Sequence, residues 1–137
     1  DKMTRLRQAK IDGIAKSIPP IVVDDPSGDA DVLMLGWGST YGPIAEAARL
    51  ARNEGMHVAR AHIRHLNPFP PNLGEVLRAY RQVIVPEMNL GQLAMMLRAR
   101  YLVDVQSYTR VRGLPFTSVE LASVLTEANV NLSGATR

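Results

Sequence analysis

No cysteine occurs among the 137 residues. The chain therefore cannot form a disulfide, hold an iron–sulfur cluster through thiolates or use a thiolate nucleophile. That suits a cytoplasmic protein. Long apolar runs are missing as well: none approaches the roughly 20 residues that span a bilayer, and no signal peptide is visible. No membrane partner is expected. Basic residues outnumber acidic ones by 16 to 13, for a net charge of +3 and a pI of about 9.6. They are dispersed and never form a run of about five or six, so solvated surface is preferred to a nucleic-acid partner. The three histidines, His57, His62 and His65, pair neither with one another nor with an acid at a helical metal spacing, so no metal site is expected. Ser39 stands in Gly-Ser-Thr and not in a nucleophile elbow, and no Ser–His–Asp arrangement can be read. No catalytic residue is assigned. An initiator methionine is also lacking, and position 1 is expected to be a cut, a cleavage point or a boundary.

What is present is apolar enough for one packed core: 46% of the residues are hydrophobic. Residues 2–18 read as a helix with Leu6, Ile14 and Ile18 on one face, widened by Ile11 and Ala15, and stopped by Pro19 and Pro20. A polar stretch, Asp24 to Asp29, follows. Residues 1–29 are accordingly expected to be a connector from a preceding domain, and 30–137 a single α/β domain.

Within that domain, Val32–Leu35 is a continuous apolar run, as in a buried parallel strand. A Gly-Trp-Gly-Ser-Thr turn leads to a helix with Pro43 early in it, an Ile44, Ala47, Ala48 and Ala51 face, and Gly55 as its stop. Val58–Ile63 is the second strand. Residues 72–80 form a helix with Asn72 and Glu75 at capping-box spacing. Residues 82–86 are the third strand, 91–100 a Met- and Leu-rich helix, and 103–111 a more alternating strand. Thr117 and Glu120 open a last helix through Ala128, with a frayed tail after Asn129. This β-α alternation predicts a three-layer α/β fold, a mostly parallel sheet with helices on both faces. Binding regions in such folds lie at the carboxyl ends of strands, here 36–40, 64–70 and 86–92.

Three features at those ends bear on function. Gly36-Trp37-Gly38 has the context of a dinucleotide fingerprint, but the third glycine falls one residue late, at Gly42, and the second strand ends in Arg64 and His65 instead of an acid. A tight turn into a helix is the preferred reading, with an anion at Gly38, Ser39 and Thr40 left open. Arg60, His62 and Arg64 alternate onto one side of the second strand. Either they snorkel and hydrogen-bond near the sheet end, or they form an interface or phosphate contact on a partly open face that meets an acidic partner. Glu87, Asn89 and Gln92 flank a strand-to-helix turn. Asn89 is expected as the N-cap, and Glu87 can approach a cofactor or neighbouring subunit.

The segments Gly36–Gly42, His65-Leu66-Asn67-Pro68-Phe69-Pro70 and Val85–Leu93, continued by Tyr101-Leu102-Val103-Asp104, together resemble the C-terminal domain of the alpha subunit of 2-oxoacid:ferredoxin oxidoreductases, in the 2-oxoglutarate type. The likeness covers roughly residues 31–126. It implies a transketolase C-terminal-domain-like fold that organises subunit contacts. It also implies a parent complex that converts a 2-oxoacid and coenzyme A to acyl-CoA and carbon dioxide and passes two electrons to ferredoxin. Thiamine diphosphate, magnesium and an iron–sulfur cluster would belong to that complex, mainly to the beta subunit or other domains, with none bound by this domain alone. The beta subunit, the preceding alpha-subunit domain and ferredoxin are the implied partners. Arg64, His65, Asn67, Glu87, Asn89 and Gln92 become candidate interface or ligand contacts. A small nucleotide- or phosphate-binding module, or the same domain of a pyruvate-type enzyme, is the alternative.

Overall fold

A computed structural model describes residues 18–88, 91–110 and 114–135. The helix expected over 2–18 lies almost wholly outside these residues, as does Asn89. The elements in chain order are β1 (Val23–Asp24), β2 (Val32–Trp37), a 3₁₀ turn (Gly38–Thr40), α1 (Tyr41–Asn53), β3 (Val58–Ile63), α2 (Leu73–Arg78), β4 (Gln82–Glu87), α3 (Gln92–Tyr101), β5 (Val105–Thr109) and α4 (Ser118–Ala135).

The five-stranded sheet has the order β1-β3-β2-β4-β5. β2 through β5 run parallel, and β1 pairs antiparallel with the edge of β3. Alternation along β2 divides the core in two, because successive side chains point to opposite faces. Leu33 and Leu35 join Ala59, Ala61 and Ile63 of β3 under Leu73 and Leu77 of α2 and Leu93, Ala94 and Leu97 of α3. Val32 and Met34 face the other way, with Ile44, Ala47, Ala48 and Ala51 of α1 and Leu121 and Leu125 of α4. This is the expected three-layer arrangement. Short alanine side chains let α1 lie close to the sheet and to α4.

Two local expectations are corrected below, and within the stretch read as connector Val23–Asp24 forms a strand: β1 adds to the sheet edge, and Ile21 is buried in the core. The side chain of Asn72, expected to cap α2, instead accepts from the Ile21 N–H (2.8 Å) and donates to the Ile21 carbonyl (3.0 Å). The tail expected to fray after Asn129 remains helical to Ala135. Leu132 packs against the core there, and Asn129 Nδ2 donates to the His57 carbonyl at 3.1 Å. The Thr117–Glu120 capping box forms as expected, each residue's N–H bonded to the other's side chain at 3.0 and 3.1 Å.

Candidate functional site

At the end of β2 the backbone turns tightly. Gly36 is the position that makes the turn possible: a Cβ there would lie 2.5 Å from Ile44 Cδ1 and 2.6 Å from Thr40 Oγ1. Gly38 follows with a φ of 63°. The buried Thr40 hydroxyl donates to the Trp37 carbonyl (2.9 Å) and accepts from the Trp37 N–H (3.1 Å). Thr40, one of the three residues expected at an anion site, thus bonds its own turn, while Gly38 and Ser39 are exposed.

The end of β3 is different. Asp24, on β1, sits in register with Arg60 on β3. Its Oδ2 takes the Nε of Arg60 and the Nη1 of Arg52, each at 3.0 Å. The acidic partner expected for the basic face is therefore supplied in part from within the chain. The Tyr41 ring, in the first turn of α1, organises the remainder. The Arg60 and Arg64 guanidinium carbons lie 5.6 and 5.9 Å from its centroid, and His62 meets it edge-on at 5.1 Å. Cations over an aromatic face are attracted by the ring quadrupole. Nδ1 of His62 is buried without a hydrogen-bond partner. Burial first, and then the charge of Arg64, hold this imidazole below its ordinary pKa of 6.5. Its neutral form leaves Nδ1 as a bare acceptor when the proton resides on Nε2, which costs less than burying an unpaired charge.

These residues wall a cleft of about 520 Å³. Its polar side is Asp24, Tyr41, Arg60, His62, Arg64 and His65, and its apolar side is built mainly by Pro19, Pro20, Ile21, Val22 and Pro70. The structure thus brings Arg64 and His65 together. Asn67, joined to Pro68 by a cis peptide bond, is exposed on the following loop and outside the cleft lining.

Glu87 and Gln92 do not line the cleft either. Glu87, at the end of β4, is buried, and its two carboxylate oxygens accept from the N–H groups of Leu93 (2.7 Å) and Ala94 (3.2 Å). A carboxylate at a helix start satisfies otherwise unpaired donors and complements the helix dipole. Glu87 thus caps α3 from the preceding strand. Gln92 is exposed at the helix start, and Asn89 lies outside the described residues. Sequence reasoning missed Asp24 and Tyr41. Neither is marked in the sequence, since the β1–β3 register that brings Asp24 to Arg60 is set by tertiary pairing. Among the described residues, no group of three His, Asp or Glu is placed to hold a metal ion, and no helix is long and apolar enough to cross a membrane.

The three-layer α/β fold is one that a transketolase-like structure shares. The split-gene transketolase inactive beta4 tetramer superposes with a TM-score of 0.58 at 20% identity, over 80% of this chain and 41% of that one. Residues 30–124 match pyruvate:ferredoxin oxidoreductase core domain II, and the chain belongs to that family. It is 60% identical over 128 residues to the 2-oxoglutarate oxidoreductase subunit KorA of Mycobacterium tuberculosis, a match covering 93% of this chain and 19% of the relative. It is 38% identical over 124 residues to the alpha subunit of 2-oxoacid:ferredoxin oxidoreductase 2 of Aeropyrum pernix, covering 87% and 19%. The 2-oxoglutarate:ferredoxin oxidoreductase of Magnetococcus marinus, solved with 2-oxoglutarate, coenzyme A and succinyl-CoA bound, superposes with a TM-score of 0.84 at 32% identity, over 91% of this chain and 22% of that one. The chain therefore spans about a fifth of the length of the curated relatives it matches.

Proposed function

We propose that the chain is the assembly domain of the alpha subunit of a 2-oxoacid:ferredoxin oxidoreductase of the 2-oxoglutarate type. The observation that carries this reading is the 60% identity to the mycobacterial subunit along nearly the whole chain. The parent complex would join a 2-oxoacid to coenzyme A with loss of carbon dioxide, passing the two electrons released to ferredoxin.

The chain's own chemistry supports an organising role. Thiamine diphosphate, magnesium and an iron–sulfur cluster are implied for the parent enzyme, and the cluster does not fit the residues here, because the sequence contains no cysteine to supply its thiolates. On this reading the reactive centres would belong mainly to the beta subunit or to other domains, and no step of the reaction is assigned to this domain.

Residues 1–29 would be the segment arriving from the preceding alpha-subunit domain, and Asn67 and Gln92, both exposed, would contact neighbouring domains or the beta subunit. Glu87 would contribute indirectly, by holding the start of α3. Affinity purification of the protein bearing this chain tests the reading. Recovery of a cysteine-bearing, thiamine-diphosphate-binding chain is expected in stoichiometric amount. A protein that elutes without such a partner contradicts it.

A further inference from the structure

We propose that the cleft between the β1 edge and the end of β3 is a binding site for a phosphate-bearing small molecule, with Arg64 as its principal anchor. The inference does not depend on the activity proposed above, since it stands on the charge and shape of this cleft alone.

Charge is the first consideration. Among the described residues one carboxylate, Asp24, is shared by two guanidiniums, Arg60 in the cleft lining and Arg52 behind it, which leaves one positive charge beyond that carboxylate's own. Arg64 adds a second. Among the described residues it stands over the Tyr41 ring and acts on His62 through its charge, and no carboxylate lies within ion-pairing distance of it. A guanidinium over an aromatic ring retains its hydrogen-bond donors along the ring's edge directions, and a planar fork of N–H groups matches phosphate oxygens. His65 is exposed beside it and adds a further ring nitrogen to the same wall.

Shape is the second. A cleft of about 520 Å³ lies within the range of small-molecule sites, which are concave and largely apolar with a few convergent polar groups. The opposite wall of Pro19, Pro20, Ile21, Val22 and Pro70 is apolar and stiffened by three prolines, so it suits the organic body of such a ligand. Placement is the third: the site opens at the carboxyl end of the parallel strand β3, where the side chains of Arg64 and His65 leave the sheet. The Gly38–Thr40 turn is not the seat of this site, because the Thr40 hydroxyl bonds Trp37.

Isothermal titration of the purified protein with pyrophosphate and with ADP tests the inference. Both are expected to bind, ADP more tightly because it also covers the apolar wall. Arg64→Ala is expected to weaken ADP by roughly tenfold or more, the size of a lost charge-assisted hydrogen bond, and Arg64→Lys by less. Arg81→Ala, remote from the cleft, should leave affinity unchanged. Arg64 is exposed, so a thermal melt of Arg64→Ala matching the parent confirms that the fold is retained. Absence of binding by either probe at millimolar concentration overturns the proposal. So does equal binding by Arg64→Ala, or tighter binding of an oligoglutamate peptide than of ADP, which would mark the cleft as a seat for an acidic protein segment.

Discussion

The side-chain amide of Asn72 makes both backbone hydrogen bonds of Ile21, accepting from its N–H at 2.8 Å and donating to its carbonyl at 3.0 Å. This pair binds the segment before β1 to the start of α2, 51 positions away. Asn72→Ala leaves both Ile21 groups unpaired and is expected to cost about 1–3 kcal/mol. Denaturant unfolding measures the loss. Amide exchange at Ile21 should accelerate more than exchange in β2, because the edge is released while the central strand stays paired.

Gly36 is fixed by its neighbours. A methyl group there would collide with Ile44 Cδ1 and Thr40 Oγ1, and overpacking of this kind costs typically about 1–3 kcal/mol. Ile44→Val removes the nearer atom. Gly36→Ala combined with Ile44→Val is therefore expected to lose less stability than the two single changes added, a coupling that a double-mutant cycle measures.

Glu87→Gln keeps one acceptor for α3 but turns an N–H₂ donor toward the second backbone N–H. Stability should fall by about 1–3 kcal/mol, as for a buried donor left unpaired, and Glu87→Ala should be at least as damaging. Hydrogen exchange at Leu93 and Ala94 reports the fraying directly. A thermal midpoint unchanged in Glu87→Gln would refute the capping role.

Two titrations bracket the pH range of stability. Burial first, then the charge and hydrogen bond of Asp25, push the Tyr80 hydroxyl up to about 12 from its ordinary 10. The folded state thus favours the protonated phenol: the stabilisation is complete below pH 10 and is lost as pH rises toward 12. Tyr80→Phe should flatten that loss. For His62 the sign is opposite. Its pKa is depressed below 6.5, so the fold favours the neutral ring, and stability should decline as pH falls below 6.5. His62→Gln should remove that decline, and an NMR titration of the ring should give a midpoint below 6.5.

The layers and the four parallel strands follow from local pattern. Val32–Leu35 is a continuous apolar run of the kind carried by a strand covered on both faces, and the alanine side of α1 announces close packing. β1 escapes such reading because two residues carry no periodicity, and its place is set by pairing with Ala61 and Arg60, far along the chain. Asn72 shows the same competition. Its amide suits either a helix start or a strand backbone, and the distant Ile21 takes it. The basic side of β3 was visible as the alternation of Arg60, His62 and Arg64. What turns it into a cleft, the Tyr41 ring and the Asp24 carboxylate, comes from elements that only tertiary structure brings near. Glu87 was recognisable as a carboxylate at a strand end, but its partners are backbone N–H groups, which no residue type marks.

Viologen reduction by the assembled complex tests the subunit role most directly. If the proposed role holds, the complex purified with the protein bearing this chain should reduce viologen only with both 2-oxoglutarate and coenzyme A, and the 137-residue chain alone should show none. A complex that reduces viologen with no 2-oxoacid, or turnover by the isolated chain, would contradict that role.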